Sequence, residues 1–129
     1  LITKTPRRRE RDYLGYVAAM PCAGCLARTG RFVRPVQVAH LRSGSLEHGK
    51  RPTGGAEKPG DRWTSPLCWK CHESQHHRGD ELAWWAELGI DPFALCVALQ
   101  ADFDRGLSGL APLIAHAAAA RAARLGVCQ

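Results

Sequence analysis

Two Cys-x-x-C pairs, Cys22/Cys25 and Cys68/Cys71, are separated by 42 residues. Two intervening residues let both sulfurs of a pair turn onto one ion, and two such pairs supply the four thiolates of a closed tetrahedral zinc site. The redox form of this motif stands alone beside a βαβ pattern, which is absent here. A competing arrangement joins Cys68 and Cys71 to His72 or His76 in one finger, and leaves Cys22 and Cys25 without partners. Cys96 and Cys128 have no companion at ligand spacing and read as buried or incidental thiols.

The second pair sits in "LCWKCHESQHH", residues 67–77. If four thiolates fill one ion, the histidines serve another purpose. His72 and His76 are four apart, so on a helix they stack on one face with rings able to share a cation. His77 lies about 100° further round and points elsewhere. His40 ends a strand-like run and faces this helix across a long loop. Two helical imidazoles and one strand imidazole make a coherent second site. His48 lies in the loop and reads as solvated.

Local signals define the elements that must position these groups. "PRRRERDYLGYVAAM" (6–20) predicts a short helix with Tyr13, Val17 and Met20 on one face. Arg7, Arg8, Arg9 and Arg11 crowd its start, where positive charge opposes the helix dipole and calls for solvent or a phosphate. "PCAGC" reads as a tight knuckle. "RFVRPVQVAHL" (31–41) alternates like a strand, with Val36, Val38 and His40 on one face.

Residues 42–61 hold five glycines and two prolines and form a long loop, uncommon in a compact domain unless it has a task. "RWTSPLC" predicts a second short strand, its Pro66 at an edge or end. A helix follows from Cys71 to Arg78, stopped by Gly79. Asp80 caps "ELAWWAEL", which Gly89 ends. Asp91 followed by Pro92 starts a helix to Asp104, and Ser108 caps a last, Ala-rich helix to Gly126. Leu82, Trp85, Leu88, Phe93, Leu95 and Leu99 are expected to cover the strands and helix, with Trp84 and Trp85 in the core.

The chain has 129 residues, 45% of them hydrophobic, consistent with one domain and a modest core. No run approaches the ~18 consecutive apolar residues of a membrane span. Lacking an initiator Met, the sequence is expected to be a fragment or a processed chain. It shows no secretory leader, so a reducing cytoplasm, bacterial or of a phage-infected host, is the expected setting; a disulfide-stapled extracellular domain is a distant third reading.

Charge is unevenly placed. Residues 1–79 carry 15 Lys/Arg against 6 Asp/Glu, and residues 80–129 carry 3 against 6. The cysteine-bearing half is the basic one, which suits a polyanion such as nucleic acid. Arg42, Lys50 and Arg51 of the loop join the N-terminal arginines as expected phosphate contacts. Arg outnumbers Lys 14 to 4, a bias that a GC-rich genome also produces.

Taken together, a C-x-x-C, a strand ending "VAHL", a loop and "PLCWKCHESQHH" resemble the HNH endonucleases of the ββα-metal class. The likeness is to the zinc-knuckle branch, including phage recombination-associated proteins. It covers residues 20–80 closely and 81–99, which include "WWAELGIDPFAL", loosely.

The resemblance implies an α+β fold. A small ββα-metal finger with a four-cysteine zinc knuckle (21–79) would lie between a basic N-terminal helix (1–20) and a helical extension (80–129). It also implies a metal-dependent endonuclease that hydrolyses DNA phosphodiester bonds. His40 would be the general base, His72 and His76 ligands of a catalytic Mg2+ or Mn2+ (Zn2+ or Ni2+ as variants), and Cys22, Cys25, Cys68 and Cys71 ligands of structural Zn2+. Double-stranded DNA is the expected partner, with a protein of a recombination, packaging or defence system as a second.

Ala39 stands where the family often has Asp or His. Trp63 falls near its middle Asn, and the chain contains no Asn. Asp61 is the candidate to replace that Asn as ligand or orienting group. A non-catalytic zinc-finger module is the alternative function.

Overall fold

The computed structural model describes residues 7–52 and 60–127. In chain order the elements are α1 (Arg7–Ala18), α2 (Ala23–Thr29), β1 (Gln37–His40), β2 (Thr64–Leu67), α3 (Trp69–Arg78), α4 (Glu81–Leu88), α5 (Pro92–Asp104) and α6 (Leu110–Val127). The architecture is therefore α+β, with six helices around one two-stranded antiparallel sheet among the described residues.

Local chemistry sets most of the boundaries. Asp80 Oδ1 accepts the Ala83 N–H, and Asp91 Oδ1 accepts those of Phe93 and Ala94, so both helices start where an acidic cap satisfies orphan donors. Gly79 and Gly89 adopt the left-handed conformation that ends α3 and α4. Before α6, Ser108 Oγ takes the Leu110 N–H at 3.3 Å, but the helix begins two residues after the expected cap.

Two elements differ from expectation. The knuckle "PCAGC" does not end at Cys25 but opens a seven-residue helix, with Cys22 as its cap and Gly30 closing it. The first strand is shorter than 31–41. Its ladder starts only at Gln37, after the cis Arg34–Pro35 bond, because β2 offers just four partners. Within that ladder Gln37 faces Leu67, Val38 faces Pro66, Ala39 faces Ser65 and His40 faces Thr64. Period-two alternation sends Ala39 into the core and leaves Val38 and His40 together on the open side.

The main core gathers Met20, Leu26, Leu67, Trp84, Trp85, Leu88, Leu95, Leu99 and Leu113 around the buried cysteines. Helix α6 closes it by packing chiefly on α2, with Ala117 and Ala120 small enough for close approach. The Arg124 guanidinium donates to the carbonyls of Leu88 and Ala27 and ties α6 to both α4 and α2. Helix α1 docks through Tyr13 and Tyr16 on Phe103, and Tyr16 donates to the Leu99 carbonyl. Arg62 lies over the Tyr13 and Phe103 rings while pairing with Asp104.

A satellite cluster of Leu41, Phe93 and Cys96, with Trp63 against it, anchors the loop after β1. Here His48 is not solvated as expected. It stacks on Phe93 at 5.6 Å and shares a hydrogen bond with Ser45.

Both tryptophans of α4 are buried, as expected, but Leu82 is 38% exposed and is not part of the cover. "ELAWWAEL" is apolar on nearly every side, so its buried face is chosen by the neighbours: Trp84 reaches Ser74 with its indole N–H and takes the inward place. No single described helix is long and apolar enough to cross a membrane; α4 and α5 together are apolar because both contribute to the core, and they are bent by 81°.

Burial separates the two leucines of α4. Leu88→Ala is expected to cost about 2–5 kcal/mol in urea unfolding, and Leu82→Ala under about 1 kcal/mol. Equal losses would contradict this packing.

Candidate metal centre and histidine groove

Helix α2 and the β2–α3 junction bring the two Cys-x-x-C pairs together. The sulfurs of Cys22, Cys25, Cys68 and Cys71 all lie within 4.8 Å of one another, a group that could hold a metal ion such as zinc. Cys25 Sγ is 3.8 Å from Cys68 Sγ and 3.9 Å from Cys71 Sγ. Four thiolates about 2.3 Å from a tetrahedral zinc stand about 3.8 Å apart, so the donor set fits zinc in type, number and spacing. The cluster contains none of the histidines, which disfavours the arrangement that joins Cys68 and Cys71 to His72 or His76. The five described cysteines are free, so no disulfide is formed among them.

Four thiols at contact distance compete over charge. Cys22 is pulled down to about 5 by hydrogen bonding from Cys71, against its own burial. Cys25 is pushed up to about 12 by burial and by the charge of Cys22, and Cys71 is driven up by its bond to Cys22 and by burial. A divalent cation relieves this conflict by stabilising every sulfur as thiolate.

Arg28, which the sequence did not single out, places Nη1 3.5 Å from Cys71 Sγ and lies over the Trp84 ring. Its charge offsets that of a four-thiolate site. The backbone also matters: a Cβ on Gly24 would stand 2.7 Å from Cys71 Sγ, so only glycine lets α2 approach α3 this closely. Cys96 lies apart, buried, its thiol directed at the Thr64 carbonyl and pushed up to about 12 by burial. Cys128 lies outside the described residues.

On the other side of β1, a groove of about 740 Å³ is lined by His40, Arg42, His72, Gln75, His76 and Glu81, among others. His40 Nε2 is 3.0 Å from Asp61 Oδ1. A carboxylate can only accept, so Nε2 is the donor in this contact, and the neutral tautomer that makes it has its lone pair on Nδ1. Asp61 is thus in hydrogen-bond contact with His40. Trp63 does not reach the groove and packs beside Leu41 and Phe93 instead.

The α3 histidines stack as expected, with ring centroids 4.7 Å apart and Nε2 atoms 3.2 Å apart. Two imidazoles about 2.0–2.1 Å from one cation hold their nitrogens about 3.0–3.4 Å apart. The pair has that spacing. Gln37 Oε1 lies 2.7 Å from His72 Nδ1, which places the ring proton there and turns the Nε2 lone pair toward His76. Burial, then the nearby His76 and His40, lower the His72 pKa and favour the neutral, ligating form. His77 points away, 78% exposed, toward Glu73.

Glu81 was missed as well. Its Oε2 accepts from the Arg42 and Ser43 N–H groups and the Ser43 hydroxyl at 2.6–3.0 Å, pinning the chain just after His40 to the start of α4. Gln37, Glu81 and Arg28 contact residues 35 to 43 positions away, which no local motif encodes.

Of the expected phosphate contacts, Arg42 lines the groove, and Arg11 and Arg51 are exposed. Lys50 is only 6% exposed; its ammonium bonds the Arg51 carbonyl and lies over Trp63, so it is not presented to a phosphate. The side chains of Arg7, Arg8 and Arg9 lie outside the described residues.

If the sulfur cluster holds zinc, elemental analysis will find one tightly bound zinc per chain. Such a site is worth on the order of 10 kcal/mol, comparable with the whole stability of a small domain. Cys71→Ser should therefore lose both the zinc and cooperative unfolding, and Gly24→Ala should weaken zinc retention against a chelator. A metal-free chain with an intact unfolding transition would refute this assignment. Family models, curated proteins and solved structures offer no match to the chain, so its function is argued from this geometry.

Proposed function

We propose that residues 21–79 form a ββα-metal finger of the HNH type and that the chain is a metal-dependent endonuclease acting on DNA. The observation that carries this reading is the groove itself. It sets the strand histidine His40, oriented by Asp61, opposite the α3 pair His72 and His76, beside a separate four-cysteine cluster.

In this reading Cys22, Cys25, Cys68 and Cys71 hold a structural zinc that fixes α2 to the β2–α3 junction. His40 does the proton chemistry. Its Nε2–H donates to Asp61, and the free lone pair on Nδ1 takes a proton from the attacking water as its oxygen closes on phosphorus. Imidazole suits the task because it titrates near neutral pH. A Mg2+ or Mn2+ ion held by His72 and His76 would supply Lewis-acid stabilisation of a non-bridging phosphate oxygen and of the departing 3′ oxygen. The P–O3′ bond then breaks to leave a 5′-phosphate, and the departing 3′ oxygen takes a proton from solvent water to become a hydroxyl. Arg42, at the groove's edge, meets the phosphate charge, and the basic N-terminal half draws in the polyanion.

One observation favours a second reading. The four cysteines are the only group of three or more His, Cys, Asp or Glu ligand atoms gathered tightly enough for a metal among the described residues. A non-catalytic zinc-finger module that binds nucleic acid or protein would need nothing more.

A plasmid assay separates the two. The zinc-loaded chain with magnesium or manganese is expected to nick supercoiled DNA. His40→Ala should keep its zinc and fold but cut about 10²–10⁴-fold more slowly, and Asp61→Ala should fall between. Cleavage unaffected by His40→Ala would remove the assigned base. One zinc, intact DNA binding and no cleavage under any divalent metal would establish the module instead.

A further inference from the structure

The groove does not end at the histidine pair. A shallower depression of about 330 Å³ continues from it, lined by Gln37, Trp69, His72, Glu73 and His76. Trp69 also borders a third hollow with Lys70, Glu73, Ser74 and His77, so it lines two depressions. It is 58% exposed, whereas Trp84 and Trp85 are buried and Trp63 is half-covered. Trp69, His72 and His76 stand at i, i+3 and i+7 of α3 and form one stripe along the helix.

We infer that Trp69 is a stacking platform for an unpaired nucleobase, next to the phosphate position at His72 and His76. The inference rests on the proposed function and narrows its substrate to nucleic acid that is single-stranded, frayed or unpaired at the cut. Three physical points carry it. A largely exposed indole that borders two depressions can take a base on its face, and such stacking is indifferent to base identity. The helix rises about 5.4 Å per turn, so a phosphate over the histidine pair puts an adjoining base within reach of the indole. The basic balance of residues 1–79, 15 Lys/Arg against 6 Asp/Glu, favours a polyanion as the bearer of that base, with Lys70 and Glu73 both lining the hollow at the indole. A duplex keeps its bases stacked on one another and cannot use Trp69.

The test uses the full zinc-loaded chain without magnesium or manganese, so that nothing is cut. Oligo-dT, oligo-U and a DNA duplex of equal length are titrated while tryptophan emission is followed. Single strands are expected to quench the exposed Trp69. Trp69→Ala should weaken their binding about tenfold or more, Trp69→Phe should retain most of it, and duplex affinity should move less than about twofold. The two single strands distinguish DNA from RNA as the source of the base.

Unchanged single-strand affinity in Trp69→Ala, with zinc content intact, would overturn the inference and assign the indole to a protein partner. An equal loss for duplex and single strand would overturn it too. A chain that shows the stacking but never cleaves defeats the nuclease reading alone; one that cleaves and ignores Trp69→Ala defeats only the stacking.

Discussion

Four sulfurs within 4.8 Å of one another are the constraint on which the rest depends. Thiols at this distance cannot all ionise without a cation, nor can they be drawn apart without separating α2 from the β2–α3 junction. Everything near them is shaped to permit the approach. A glycine at position 24 removes the side chain that would collide with Cys71, Cys22 caps α2 with its own sulfur, and Arg28 adds positive charge at the rim. The core then gathers around this knot: Leu26, Leu67 and Trp84 belong to the same buried cluster as Cys22, Cys68 and Cys71. A metal ion held by these four sulfurs would add a cross-link to that core.

The same junction determines the geometry of the groove. Helix α3 begins directly after Cys68, so fixing the cysteines fixes the helical phase at which His72 and His76 emerge. Strand β1 is held in register by β2, whose last residue precedes Cys68, and that register presents His40 on the open side. The carboxylates complete the arrangement from outside the ladder. Asp61 enters just before β2 and Glu81 at the first turn of α4, each gripping one side of the His40 end of β1. The imidazoles are thus positioned by two short strands, one four-cysteine cluster and two acidic residues.

What could be read from the sequence follows the range of the interaction responsible. Caps and stops such as Asp80, Asp91–Pro92, Gly79 and Gly89 act within one turn, and they fall where local rules put them. The cysteine spacing is a local signal repeated twice, so the cluster was legible too. Helix α2 was not, since seven residues are too few to show periodicity and the helix persists because α6 packs on it. The extent of β1 depended on a partner that supplies only four residues. Leu82 was misplaced because a segment apolar all round carries no phase information of its own. In the site, His72 and His76 were evident from their spacing, and Asp61 was recognised without its role being fixed. Gln37, Glu81 and Arg28 were invisible because each acts on a residue several elements away.

The two bonds from Arg124 to the carbonyls of Leu88 and Ala27 bear on the order in which the molecule is assembled. All four sulfur ligands have been synthesised by residue 71, whereas the helix that backs α2 is completed only near residue 127. During vectorial synthesis the ligands emerge first and their apolar cover last. Metal capture can therefore precede burial, with α6 acting as a closing latch. A nascent chain halted before residue 110 would carry every ligand while leaving the rear of α2 open to water.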